Sequence, residues 1–247
     1  MKKISIIALT ILTLGMTSCD MDKMPYDAVP TEEALTTIVG FEEARAGIYS
    51  VYLGLTGGSY VLAPEVQADA FNAVADFSNK YGELHRWTFE STNSTVETIW
   101  ANCDAAIGRA NFFIDGVGKI DENPEIELTE IQKLQINVYE GEAYFTRAYC
   151  YFYLATLFCR DYDVATAANT PGLPLQVKYE PQLAATQYPG RSSLEDTYKQ
   201  ILEDLEEAEV RIETAKNGIA DYDRYINGAY VTVNTAPKNC GNYITVD

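Results

Sequence analysis

Apolar residues recur at spacings of three and four along most of this chain, the periodicity of helices that bury one face. Phe41, Ala44, Ile48, Tyr52 and Leu55 mark the first stripe, which Thr31 is expected to cap ahead of Glu32 and Glu33 and which Gly57-Gly58 ends. A second helical run is expected over about Ala63 to Ala75, with Pro64 in its first turn. Asn93-Ser94-Thr95-Val96-Glu97 then holds the Ser-x-x-Glu spacing of a capping box. It predicts a helix with Val96, Trp100, Cys103, Ile107, Ala110 and Ile114 inward, ending at Gly116 and Gly118. Thr129-x-x-Gln132 opens a long helix whose stripe starts with Ile131, Leu134 and Val138. Ser192-x-x-Glu195 opens the last one, with Leu194, Tyr198, Ile201, Leu205, Ala208 and Ile212 inward and Gly218 closing it.

One segment departs from the one-faced pattern. Glu140 to Phe158, EGEAYFTRAYCYFYLATLF, is apolar on almost every side and carries seven aromatics between Tyr144 and Phe158. Their full burial would represent on the order of 25 to 45 kcal/mol before chain entropy is subtracted, far more than a surface helix can use. The segment therefore predicts a core helix with other helices packed around it. Of its polar residues, Glu142 and Arg147 are expected to pair with each other or each with a neighbouring helix, because a buried lone charge is costly. The fold predicted is an all-α domain of irregular antiparallel helices. Helix starts near residues 41, 94, 130 and 193 are unevenly spaced and show no 34-residue period.

Charge narrows the function classes. The 36 acidic and 18 basic residues give a formal net charge of −18, a field that repels nucleic acid and anionic lipid headgroups. Nucleic-acid binding is excluded on that ground. His85 is the single histidine and can build neither a metal centre nor a triad alone, so no catalytic residue, metal or cofactor is assigned. Cys103 and Cys150 fall in apolar surroundings and read as core residues, while disulfide connectivity among Cys103, Cys150, Cys159 and Cys240 stays open. Residues 1–18 read as a signal peptide: Lys2 and Lys3, an apolar run from Ile4 to Leu14 too short to span a bilayer, and small residues before Cys19. Met16-Thr17-Ser18-Cys19 is similar to the bacterial lipoprotein cleavage box, with Met16 where Leu is usual, and makes Cys19 the acylated first residue. Acyl chains there would hold the protein on a membrane without a transmembrane helix. Residues 19–33, polar and carrying two prolines, read as a tether.

Four segments in order carry a family resemblance. The run GEAYFTRAYCYFYLATLF from Gly141, WANCDAAIGRANFFI from Trp100, FEEARAGIYSVY from Phe41 and RSSLEDTYKQILEDLEEA from Arg191 resemble the SusD/RagB family of outer-membrane lipoproteins. The resemblance implies a tetratricopeptide-like helical superhelix with long loops. It also implies a non-enzymatic cell-surface protein of a Gram-negative bacterium that captures an oligosaccharide or other nutrient for a SusC-like TonB-dependent transporter. It covers about the first half of a typical member. Residues 34–247 accordingly read as a SusD-like N-terminal helical domain that is incomplete, with Asp247 resembling the cap of a further helix and the chain truncated there. The alternatives are an exported helical scaffold lipoprotein that binds protein partners, or a non-functional fragment.

Two long connections bear on function. Phe77 to Ser94 combines Tyr81, Trp87 and Phe89 with Asn79, Glu83, Arg86 and Asn93. Sugars stack their C–H faces on aromatic rings and offer paired hydroxyls to amide, guanidinium and carboxylate groups. The candidate ligand-binding residues are therefore Trp87, Arg86, Tyr81 and Asn93, with Asp69 added from the preceding helical run; the alternative is that Trp87 and Phe89 alternate inward in a short hairpin. The family's capture site resembles this region, which the correspondence identifies by segment rather than by residue. Cys159 to Arg191 contains four prolines, and its Pro-Gly-Leu-Pro-Leu resembles the family's loop after the core helix, with Cys159-Arg160-Asp161-Tyr162 in place of the usual Gly-Asp-Val-Pro. It reads either as a partner-binding loop or as a strap across the helices.

Overall fold

The computed structural model describes residues 33–74, 80–123, 126–181 and 187–219. The leader, Cys19, most of the tether, the expected cap Thr31, Asn79 and the stretch from residue 220 with Cys240 lie outside them. In chain order the elements are α1 (Ile38–Leu55), α2 (Ser59–Gln67), α3 (Gly82–His85), α4 (Ser94–Val117), α5 (Glu130–Phe158), a 3-10 turn (Ala167–Asn169), β1 (Pro171–Pro174), β2 (Arg191–Ser193) and α6 (Leu194–Gly218). These helices belong to one compact unit that begins at Leu35.

The fold is all-α, and the helix ends follow local chemistry more finely than spacing alone foretells. α1 is capped by Thr37, whose hydroxyl accepts from Gly40 N. α4 is capped by Asn93 rather than Ser94: Asn93 Oδ1 accepts from Thr95 N at 3.1 Å and Val96 N at 3.3 Å. Ser193, not Ser192, caps α6 by accepting from Asp196 N. The Thr129–Gln132 capping box forms as read. The second expected helix is shorter, ending at Gln67, because Asp69 turns left-handed with φ 59°. Pro64 also sits inside α2 rather than in its first turn. A proline there offers no N–H to the carbonyl four residues back, and the Tyr153 hydroxyl donates to that Tyr60 carbonyl instead.

Cross-helix pairings give the directions. Phe41 meets Phe113 with ring centroids 5.6 Å apart, and Arg109 Nη1 donates to Gly47 O at 2.6 Å, so α1 and α4 run antiparallel. Trp100 meets Phe158 at 5.0 Å while Asn111 meets Arg147, which makes α4 and α5 antiparallel. α5 packs most extensively against α6, again antiparallel, with Glu140 beside Arg211 and Arg147 beside Asp204. Gly141 permits that approach: a Cβ there would stand 2.7 Å from Ile212 Cγ1 and 3.0 Å from the Ala208 carbonyl oxygen.

α5 is the central helix, yet it is not buried all round. Tyr151 is enclosed, but Phe152 is 47% exposed, and Tyr144, Phe145, Tyr149, Tyr153 and Phe158 are half-buried. The rings rim the interhelical grooves and cover one another: Tyr52 meets Tyr149 at 5.5 Å, and Tyr149 stacks on Tyr153 at 6.3 Å. Ile131 and Leu205, expected inward, are largely exposed because each lies at the outer edge of its stripe. The charged residues choose neighbouring helices. Glu142 accepts from two Arg45 nitrogens on α1, Nε and, at 2.6 Å, Nη2, and Arg45 also lies over the Tyr139 ring at 4.3 Å. Arg147 donates to Asp204 Oδ2 at 2.8 Å and Oδ1 at 2.6 Å, to Asn111 Oδ1 at 2.7 Å and to the Val177 carbonyl at 3.1 Å.

The Pro-rich connection is a strap. β1 and β2 pair antiparallel, Pro171 with Ser193 and Pro174 with Arg191. Leu173 is buried against the helices, its N–H donating to Thr197 Oγ1 at 3.0 Å. Arg191 Nε donates to the Gly172 carbonyl at 2.6 Å, and the Tyr151 hydroxyl both donates to Gln176 O and accepts from Gln176 N at 2.8 Å.

Candidate functional site

The connection between α2 and α4 builds a ledge rather than a hairpin. Its anchor is Leu84, almost fully buried, on the single helical turn α3. Three bonds fasten this turn to α2: the Tyr81 hydroxyl and Ser59 Oγ at 2.9 Å, His85 Nδ1 and the Val66 carbonyl at 3.1 Å, and Trp87 Nε1 donating to the Gln67 carbonyl at 3.2 Å. A fourth fastens it to α4, where Asn93 Nδ2 donates to Glu83 Oε2 at 2.9 Å. The Asn93 side chain thus caps α4 with its oxygen and holds α3 with its nitrogen.

The ledge concentrates unusual backbone. Asp69, Tyr81 and Trp87 have φ of 59°, 63° and 55°, and among the described residues these are the non-glycine residues with positive φ. Such a conformation costs a side-chain-bearing residue roughly 1 to 2 kcal/mol, and for bulky residues it is a true outlier. In Trp87 the strained backbone holds an indole 65% exposed to solvent. Its ring lies 6.2 Å from that of Phe89, which packs into the core below. Strain of this kind persists where the surrounding structure fixes it, and it gathers at functional sites.

On the same connection, toward the start of α4, opens a shallow polar cleft of about 370 Å³, lined by Glu83, Thr88, Glu90, Thr92, Asn93 and Ser94. Of the five residues named from the sequence, Trp87, Arg86 and Tyr81 lie on or next to α3. Asp69 approaches His85 Nδ1 at 3.7 Å, and Asn93 lines the cleft. Arg86 is exposed, Tyr81 half-buried, and Lys80 Nζ lies 5.2 Å from the Tyr81 ring centroid. Thr88, Glu90 and Thr92 went unnoticed in the sequence because short polar residues in a loop carry no periodic signal.

A second cleft, of about 230 Å³, opens between α4, the end of α5 and the strap. Trp100 and Asp104, one helical turn apart, form one wall, with Tyr151, Gln176, Tyr188 and Pro189 opposite. Burial pushes the Asp104 carboxyl above the ordinary aspartate range. Sequence reading assigned Trp100 only to the core; the strap that completes this cleft is distant in sequence and left no trace in the periodicity.

Comparison with known proteins places this arrangement. A SusD superfamily protein from Bacteroides thetaiotaomicron shares the fold with a TM-score of 0.51 at 19% identity, over 70% of this chain and 36% of that one. A SusD-like carbohydrate binding protein from Bacteroides vulgatus gives 0.50 at 21% identity, over 70% and 35%. The SusD-like protein P2 of Formosa agariphila is 25% identical over 202 residues, 76% of this chain and 37% of the relative. The chain therefore spans little more than a third of the length of the proteins it matches. With residues 25–215 matching the SusD-like family model described as starch-binding associating with outer membrane, the chain belongs to the SusD-like family.

Proposed function

We propose that the α2–α4 ledge is a glycan-contact surface of a nutrient-capture lipoprotein, anchored at the outer membrane through Cys19 and delivering its ligand to a SusC-like TonB-dependent transporter. The observation that carries the reading is Trp87: a solvent-facing indole, held on a left-handed backbone by its own N–H bond to Gln67, on the same connection as a cleft of carboxylates, hydroxyls and an amide. A flat aromatic face beside planar hydrogen-bonding groups suits a sugar ring and its hydroxyls. In this arrangement Trp87 stacks, Glu83 and Glu90 accept hydroxyl protons, Arg86 donates from the rim, and Tyr81, Asp69 and Asn93 hold the ledge in place. The family description and the printed name of the Bacteroides vulgatus protein support a carbohydrate as the ligand class. The leader ending at Cys19 supports the lipid anchor.

Isothermal titration of the protein with neutral, amino-sugar and acidic oligosaccharides, starch fragments among them, tests the reading. Binding is expected for at least one class, and Trp87→Ala is expected to weaken it about tenfold or more, equivalent to ~1.4 kcal/mol, with the circular dichroism spectrum unchanged. Silence across the panel from folded protein would overturn the proposal.

A further inference from the structure

The cleft between α4, the end of α5 and the strap shares no lining residue with the cleft of the ledge. Ile107, Leu154 and Leu173, all buried, give it apolar surface, and Trp100, Tyr151 and Tyr188 bring three aromatic side chains to it. Two of these are fixed by the fold. Trp100 stands against Phe158 with ring planes 88° apart, and the Tyr151 hydroxyl is tied to both the N–H and the carbonyl of Gln176. Tyr188, 61% exposed, supplies the solvent-facing wall. Among the described residues that line the cleft, Asp104 alone is charged. It makes no hydrogen bond or ion pair among the described residues, and burial raises its carboxyl above the ordinary aspartate range. The guanidinium groups of the surrounding elements are turned elsewhere: Arg109 to Gly47 and Ser50 on α1, Arg147 to Asp204, and Arg191 to the Gly172 carbonyl. A partly desolvated carboxylate without a cation is unfavourable, and aromatic rings attract cations to their faces. Both features call for the same kind of ligand.

We propose that this cleft binds an organic ammonium group, with Asp104 as its counter-ion and Trp100, Tyr151 and Tyr188 as its aromatic wall. The positive nitrogen meets the carboxylate, while the carbons bonded to it rest against the aromatic and aliphatic side chains. Size limits the occupant. At about 230 Å³ the cleft is smaller than the roughly 300 to 1,000 Å³ of pockets for drug-sized ligands, and it suits one small headgroup rather than an oligosaccharide. The formal net charge of −18 draws cations toward the chain and disfavours an anionic occupant. Quaternary headgroups of the choline type and protonated amino sugars share the required chemistry. The assignment stands whether or not the ledge takes a glycan.

The chain holds two tryptophans, so Trp87→Phe leaves Trp100 as the single indole and its fluorescence reports on this cleft. Titration with choline is expected to change that emission saturably. The neutral analogue of choline, with carbon in place of the nitrogen, should bind about tenfold more weakly or worse. Glucosamine, with glucose as its neutral control, is the second pair, and the tighter of the two ammonium ligands identifies the source. Asp104→Asn should weaken the preferred ligand about tenfold and erase its advantage over the neutral control. Because Asp104 has no partner to lose, its urea midpoint should not fall. Tyr188→Ala, an exposed position, should also weaken binding without loss of stability. Equal binding of the charged and neutral members in both pairs, no saturable change with any of the four compounds, or undiminished binding by folded Asp104→Asn overturns the proposal. A ligand held at the ledge instead would not respond to Asp104→Asn, which keeps the two sites distinguishable.

Discussion

Arg147 shows how much a single side chain can organise. Its guanidinium, buried on α5, reaches Asp204 on α6, Asn111 on α4 and the Val177 carbonyl on the strap. Asp204→Leu strands that charge and is expected to destabilise the protein by about 3 to 5 kcal/mol, whereas Arg147→Met combined with Asp204→Leu should recover most of the loss, as urea melts of the three chains will show. The sequence marked Arg147 and Glu142 as in need of partners but could not choose between them and the neighbouring helices. Asp204 and Arg45 lie 57 and 97 residues away, beyond the reach of any helical periodicity. Trp87 is legible only as an aromatic in a polar loop; its left-handed backbone is set by the tertiary fit of α3. Trp87→Gly and Trp87→Ala both lose the indole bond, but Gly suits φ 55°. The glycine chain should be the more stable by about 1 kcal/mol in thermal unfolding.

At the scale of elements, helix existence was written plainly and helix ends were not. The stripes of α1, α4, α5 and α6 follow the 3.6 period, and the capping box at Thr129 formed as read. At α4 and α6 two adjacent cap-capable residues compete, and the winner depends on backbone geometry: Asn93 beat Ser94, and Ser193 beat Ser192. Asn93→Ala should therefore cost about 0.5 to 2 kcal/mol, while Ser94→Ala, one residue inside the helix, should change the denaturation midpoint far less. The Asn93 substitution also frees Glu83 from its bond, so loosening should extend to α3. Hydrogen exchange at Leu84 to Trp87 reads that directly. The strap was open between a docking loop and a cover. Buried Leu173 and the Arg191 bond to Gly172 place it over the helices.

For the molecule as a whole, the all-α class was legible because so many stripes repeat at one period. The superhelical arrangement was not in the spacing and came from the ordered family segments. Aromatic content was visible too, but its distribution was not: rings expected inside α5 instead line the grooves around it. Two tyrosines, Tyr49 on α1 and the enclosed Tyr151 on α5, set a limit on alkaline stability. Burial pushes the Tyr49 and Tyr151 hydroxyls far above the ordinary tyrosine value, with the Glu142 charge adding to the effect at Tyr49. The folded chain therefore keeps protons that the unfolded chain releases above about pH 10. Stability from these groups is complete below that pH and falls as pH rises through it, by on the order of 1.4 kcal/mol per pH unit from each. Chemical melts from pH 9 to 11.5 should show the midpoint dropping steeply, and Tyr151→Phe should flatten the slope.

The ion pairs on α5 also bear on timing. Arg45 precedes its partner Glu142 in the chain, but Asp204 follows Arg147 by 57 residues. During synthesis the first pair can close as soon as α5 has emerged, while Arg147 must wait for α6. Closing the core early would bury a cation with no carboxylate to meet it. A chain cut short of Asp204 is therefore expected to leave the Arg147 guanidinium without its carboxylate and to show a markedly lower urea midpoint than the full chain.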